Sequence, residues 1–232
     1  MKTKKILFVL TSHDELGETG KKTGFYLSEA AHPWKVLSEA GYEIDFVSPK
    51  GGLPPIDGFD LKDPVSKEFW ENTEIQRKLN NTLTPDKVVT GNYCAIFYAG
   101  GHGTMWDLKD NNQLAKVAAR IYEDNGVVAA VCHGPAGLVD IKLSDGSYLV
   151  SGKHVNSFTN EEEAAVGLTD VVPFALESAL IDRGAIFEKT ENFQQKVVVD
   201  ERLVTGQNPA SAQKVGEEVL NVLKEINVMA EM

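Results

Sequence analysis

Short apolar runs recur along the chain, and each ends in polar or turn-forming residues. KILFVL at 5–10 is a continuous apolar run after its opening lysine, the pattern of a strand buried on both faces of a parallel sheet. EIDFV at 43–47, YCAIFY at 93–98 and VVAAV at 127–131 predict three more strands of this kind. Helical patterns lie between them. One opens at Pro33, a residue favoured in a first turn, and runs through Trp34, Val36 and Leu37 to Gly41. A second covers 112–122, and later ones cover 174–181 and 210–226, with strands at 196–199 and 202–205 around a turn. The alternation predicts βαβ units and an α/β fold: a three-layer α/β/α sandwich with a mainly parallel central sheet.

Residues 51–85 break this rhythm. GGLPPIDGFDLKDP is rich in turn formers, and VSKEFWENTEIQRKLNNTL predicts short helices. The segment reads either as a surface excursion or as a cap that helps wall a site. No repeat, low-complexity tract or linker divides the chain, which predicts a single domain over 1–232.

Composition acts mainly by exclusion. A chain of 232 residues, 42% hydrophobic and 25% charged, is long enough to bury a real core. Lys plus Arg number 23 against 34 Asp plus Glu, a formal net charge of −11. That balance argues against nucleic acid or an anionic membrane as a main partner. No apolar stretch approaches the roughly 20 residues of a membrane span. The basic start, MKTKK, leads into an apolar run that stops at Leu10 with no cleavage-type sequence after it, so it reads as a first strand and not a signal peptide. The two cysteines, Cys94 and Cys132, both lie in strand-like apolar surroundings, which suits a reducing cytoplasm.

The richest segment is AAVCHGPAGL at 129–138. A strand ends at Cys132, glycines follow at Gly134 and Gly137, and an apolar helix-like stretch comes next. The pattern resembles a nucleophile elbow, which exposes a reactive side chain at the carboxyl end of a strand. A helix N-terminus at that point would favour the thiolate and lower the thiol pKa. A small buried cysteine closing a core strand is the plainer alternative. Ligands in open α/β sheets bind outside the carboxyl ends of the strands. After the third strand comes AGGHGTMWDL, where Gly100, Gly101 and His102, beside the elbow strand, are candidates to contact substrate. Gly101 N–H and His133 N–H are candidates for an oxyanion hole. After the first strand, Glu29 reads either as a first-turn carboxylate or as an acid–base group beside Cys132. His133 adjoins the thiol, and Glu161, Glu162 and Glu163 are candidate carboxylates to orient it, although three consecutive acids also suit an exposed helix start.

These motifs together carry a family resemblance. The chain resembles the ThiJ/PfpI superfamily, with its flavodoxin-like, class I glutamine amidotransferase-like fold, over nearly its whole length: KTGFYLSEAAHPW, AGGHGTMWDL, AAVCHGPAGL, KHVNSFTNEEE and RLVTGQNPASA. GGHG, AVCHGP and the EAxHP segment resemble its branch of small heat-shock proteins with glutathione-independent glyoxalase (glyoxalase III) activity. The resemblance implies a Cys132–His133–Glu163 triad with Glu29 beside the thiol. It implies conversion of methylglyoxal or glyoxal to D-lactate or glycolate without a cofactor, in a cytoplasmic homodimer. The superfamily also holds holdase chaperones or redox-stress sensors, and amide hydrolases of peptidase or deglycase type, as alternative functions. Nothing matches the separate metal site of larger members, and His13, His32 and His102 are too scattered in sequence to read as ligands, so no metal is expected.

Overall fold

The computed structural model describes residues 5–231. Residues 1–4, the basic lead into the first strand, lie outside them. Six strands form the central sheet: β1 (Lys5–Val9), β3 (Glu43–Val47), β5 (Ala95–Tyr98), β6 (Val127–Val131), β9 (Val197–Asp200) and β10 (Leu203–Gly206). Their order is β3-β1-β5-β6-β10-β9, parallel except for the edge strand β9, which runs antiparallel to β10. Short pairs lie outside the sheet: β2 (Phe25–Tyr26) with β4 (Ile56–Asp57), and β7 (His154–Val155) with β8 (Ile186–Phe187).

Alternation along the strands supplies two cores. Ile6, Phe8, Phe97, Ala129 and Val131 face one side, against α1 (Leu27–Glu39) and the long α8 (Ala212–Glu231). Leu7, Val9, Ile96, Tyr98, Val128 and Ala130 face the other, against α5 (Asn112–Glu123). The result is the three-layer α/β/α sandwich read from the alternation. Within 51–85, α2 (Pro64–Glu71) and α3 (Thr73–Leu79) form as short helices, each started by a side-chain cap from Asp63 or Asn72. Phe69 of α2 packs edge-on against Trp34 of α1 and Phe46 of β3, which ties the excursion to the first core.

Three local expectations change. Helix α1 begins at Leu27 and not at Pro33, which sits inside it. Proline has no N–H, so the carbonyl four residues back, that of Glu29, loses its helical donor. The first turn holds without it because Tyr26 N–H donates to Gly100 O at 3.0 Å, which anchors the start of the helix on the β5 loop. Strand β5 begins one residue after Cys94, whose thiol donates to Lys5 O at 3.3 Å, so Cys94 lies at the strand's edge and not within it. After Cys132 the chain makes a five-residue 3-10 turn, Gly134–Leu138, and not an α-helix. So short a turn supplies little dipole to stabilise a thiolate.

Candidate active site

Cys132 follows the last residue of β6 and adopts φ = 60°. A side-chain-bearing residue in this left-handed region stores strain on the order of 1–3 kcal/mol and persists only where its surroundings enforce it. Two backbone bonds do so: Cys132 N–H donates to Gly206 O at 2.9 Å, and Phe158 N–H donates to Cys132 O at 2.7 Å. The elbow is therefore clamped between β10 and the segment that leads into α6 (Asn160–Ala165).

The carboxyl ends of β5 and β6 bring two loops together. Thr104 joins them, its hydroxyl lying 2.8 Å from Gly101 O and 3.0 Å from His133 O. Gly100 carries the closest approach. A methyl group there would lie 2.2 Å from Glu29 Oε2 and 2.9 Å from Cys132 Cβ, so only glycine lets the carboxyl and the thiol-bearing side chain meet. Gly101 sits at φ = +104°, and a side chain on it would strike Gly24 O at 2.2 Å. Neither Gly101 N–H nor His133 N–H donates to a backbone acceptor among the described residues.

Glu29, in the first turn of α1, is fully buried. Neither carboxyl oxygen has a hydrogen-bond partner of full geometry among the described residues. The Cys132 thiol and Gly100 N–H face it and favour ionisation, but burial dominates and raises its pKa from 4.5 to about 8. Burial and the Glu29 carboxylate likewise push the Cys132 thiol well above its ordinary value, with His133 N–H opposing. This corrects the expected low-pKa thiol: the desolvated site, with an acid beside the sulfur and no α-helix behind it, holds the thiol neutral at rest. Thiol and carboxyl titrate as one coupled pair.

The three consecutive acids of α6 divide three ways. Glu161 is exposed and pairs with Lys189 at 3.0 Å. Glu162 is buried and closes the capping box with Thr159, its carboxylate also accepting from Phe193 N–H at 2.7 Å and Asn208 Nδ2 at 2.8 Å. Glu163 turns toward the thiol loop. Its Oε2 accepts from His133 Nε2 at 2.7 Å and its Oε1 from His102 Nε2 at 2.8 Å. Burial favours the protonated form of Glu163, but the two histidine bonds outweigh it and set the pKa at about 2. An ionised carboxylate only accepts, so both ring nitrogens facing it carry protons. His133 is buried and its pKa falls to about 4, first through desolvation and then through repulsion from His102. Its neutral ring therefore presents Nδ1 as an acceptor 3.4 Å from Cys132 Sγ.

Sequence reasoning thus named Cys132, His133, Glu163, Glu29, Gly100 and Gly101, and the fold brings all six to one place. His102, named as a substrate-binding candidate, joins them: it shares Glu163 and lies 4.0 Å from His133, ring centre to ring centre. Two residues went unread. Thr104 follows the GGHG segment directly, and a hydroxyl one turn after a glycine loop is a signal that could have flagged it. Phe158 covers His133 at 4.5 Å between ring centres, and no local pattern distinguishes it from an ordinary core aromatic.

Residues 21–222 match the model of the DJ-1/PfpI family. The chain belongs to the DJ-1/PfpI family. Among relatives, the Glyoxalase 3 of Candida albicans is 35% identical over 230 residues, covering 93% of this chain and 97% of its own. The glutathione-independent glyoxalase of Saccharomyces cerevisiae is 35% identical over 243 residues, covering 97% and 100%. Among solved structures, the Rapid Encystment Protein 24 KDa of Francisella tularensis superposes with a TM-score of 0.91 at 38% identity, over 96% of this chain and 99% of its own. The family match spans every residue of the site from Glu29 to Glu163.

Proposed function

We propose that this protein is a glutathione-independent glyoxalase that converts methylglyoxal to D-lactate, and glyoxal to glycolate, through a hemithioacetal on Cys132. The observation that carries the reading is the juxtaposition of a strained elbow cysteine, a buried protonated carboxyl and a neutral histidine held by an ionised carboxylate. The relatives named for this activity, aligned from end to end, support it.

The chemistry follows from the protonation states. Cys132 Sγ attacks the aldehyde carbon as its proton passes to His133 Nδ1, and Glu163 balances the imidazolium that forms. Glu29 protonates the new oxyanion, which the Gly101 and His133 N–H groups receive. Each such donor is worth roughly 3–4 kcal/mol in other enzymes. Glu29, now ionised, removes the remaining hydrogen of the former aldehyde carbon while His133 protonates the ketone oxygen, giving an enediol. Glu29 returns its proton to the second carbon, and His133 takes the hydroxyl proton of the first, leaving a thioester. The first carbon is oxidised and the second reduced, so no outside electron carrier takes part. Water then cleaves the thioester: ionised Glu29 takes a proton from the attacking water, and the His133 imidazolium returns its proton to the departing sulfur, restoring the thiol, the neutral ring and the protonated carboxyl.

Association as a homodimer and residence in the cytoplasm complete the proposal. Sedimentation of the purified protein tests the first. Among the described residues, no helix is long and apolar enough to cross a membrane. The activity itself is tested by incubating the protein with methylglyoxal, without glutathione, and assaying D-lactate.

A further inference from the structure

We propose that His102, His133 and Glu163 form a binding site for a divalent first-row cation of the zinc class, and that its occupancy switches the thiol chemistry off. The three side chains come from the β5 loop, the elbow and α6, and their donor atoms all lie within 4.8 Å of one another. Two imidazole nitrogens and one carboxylate are a donor set well suited to Zn2+, leaving a fourth position for water. His32 and His13 stand elsewhere, the one paired with Asp63 and the other stacked on Trp106, so only His102 joins the cluster.

The fit is close. Zinc bonds of about 2.0–2.1 Å in tetrahedral geometry place neighbouring donor atoms about 3.3 Å apart. The two histidine–carboxylate distances, 2.8 and 2.7 Å to different oxygens of Glu163, must open by roughly half an ångström, while the donor atoms, spread over as much as 4.8 Å, must draw in; rotations about the Glu163 and His102 side chains supply both movements. The His102 side chain is 18% exposed, which gives a cation a way in, while His133 is held from behind by Phe158 and through its carbonyl by Thr104.

The inhibitory consequence comes from the ring itself. A neutral imidazole carries a single N–H. A cation on His133 Nε2 moves that proton to Nδ1, the atom 3.4 Å from Cys132 Sγ. The ring then donates toward the sulfur and no longer accepts its proton. This effect on turnover rests on the glyoxalase reading, whereas cation binding does not.

Chelator-stripped protein is titrated with Zn2+ by calorimetry and with Co2+ by absorption spectroscopy, with circular dichroism confirming the fold of each variant. The expected result is one saturable equivalent and a Co2+ spectrum with d–d bands and no sulfur-to-cobalt charge transfer. Cys132→Ser binds as the parent does. His102→Gln keeps an N–H for Glu163 but offers no imidazole nitrogen, and it weakens Zn2+ by more than the roughly 10- to 100-fold that an outer-shell change costs. His102→Asn serves if the glutamine variant does not fold. Absence of stoichiometric binding, loss of binding in Cys132→Ser, a sulfur charge-transfer band, or wild-type affinity in the His102 variants would each overturn the site. Zn2+ bound there with turnover intact would overturn the switch. A metal-free protein with no D-lactate formation would count against the glyoxalase reading and leave the binding result standing.

Discussion

Glu29 links the chemistry of the site to the stability of the fold, and Glu29→Gln separates the two. The carboxyl is fully buried and its pKa rises from 4.5 to about 8. A carboxyl whose folded pKa lies above its unfolded one binds more protons in the native state, so its contribution to stability is fully present below pH 4.5 and is lost as pH rises through 8. At about 1.36 kcal/mol per pH unit, the loss reaches about 3 kcal/mol at pH 7 and about 5 kcal/mol above pH 9. Glutamine has the same shape and never ionises. Relative to the parent, Glu29→Gln is therefore expected to gain stability progressively from pH 5 to 9, whatever constant offset its buried amide introduces. At pH 7 the pH-dependent gain corresponds to a melting temperature higher by roughly 6–12 °C for a chain of this size. Thermal unfolding of both proteins across that range measures it, and turnover measured beside it should collapse in the more stable variant. A stability difference that does not change with pH would show that Glu29 is not a buried, proton-holding acid.

The same protonation states shape the rate. With His133 at about 4 and Glu29 at about 8, kcat/KM is expected to rise as pH climbs through 4, plateau, and fall through 8, and a profile still rising at pH 9 would contradict the acid role of Glu29. In the acid series of α6, Glu163→Gln should lower turnover at least 100-fold, the scale of losing a general base's support. Glu161→Gln should change neither stability nor rate measurably, and Glu162→Gln should cost roughly 1–3 kcal/mol of stability through its lost cap and buried bonds while the folded fraction keeps its rate. Denaturation and steady-state kinetics on the three proteins decide this. Thr104→Val leaves Gly101 O and His133 O without their shared hydroxyl, and it should slow kcat more than it raises KM, read from saturation curves.

Much of the layout was legible because the signals were strong. ILFV after Lys5 and VVAAV are continuous apolar runs, EIDFV places apolar residues at Ile44, Phe46 and Val47, and each became a parallel strand. Cys132, Gly100 and Gly101 were readable because strand ends followed by glycine are local patterns. The assignment of Glu163 came through the family motif, and the physical reason behind it is only visible in three dimensions. One turn of helix points Glu161, Glu162 and Glu163 to solvent, to the cap and to the histidines respectively. What failed were the inferences that needed tertiary context. Pro33 signalled a helix start, yet the hydrogen bond from Tyr26 to Gly100 lets α1 begin six residues earlier. The low thiol pKa assumed a helix behind the elbow, and a 3-10 turn and a buried acid stand there instead. The bond between His102 and Glu163 was not legible either, because the two lie 61 residues apart in sequence.

The most direct measurement is D-lactate formed from methylglyoxal in the absence of glutathione, scored with a stereospecific lactate assay on the parent, Cys132→Ser and Cys94→Ser proteins. The expected result is stoichiometric D-lactate from the parent and from Cys94→Ser, and none above background from a correctly folded Cys132→Ser. No D-lactate from the parent, or equal activity in Cys132→Ser, would contradict a glyoxalase built on the elbow thiol.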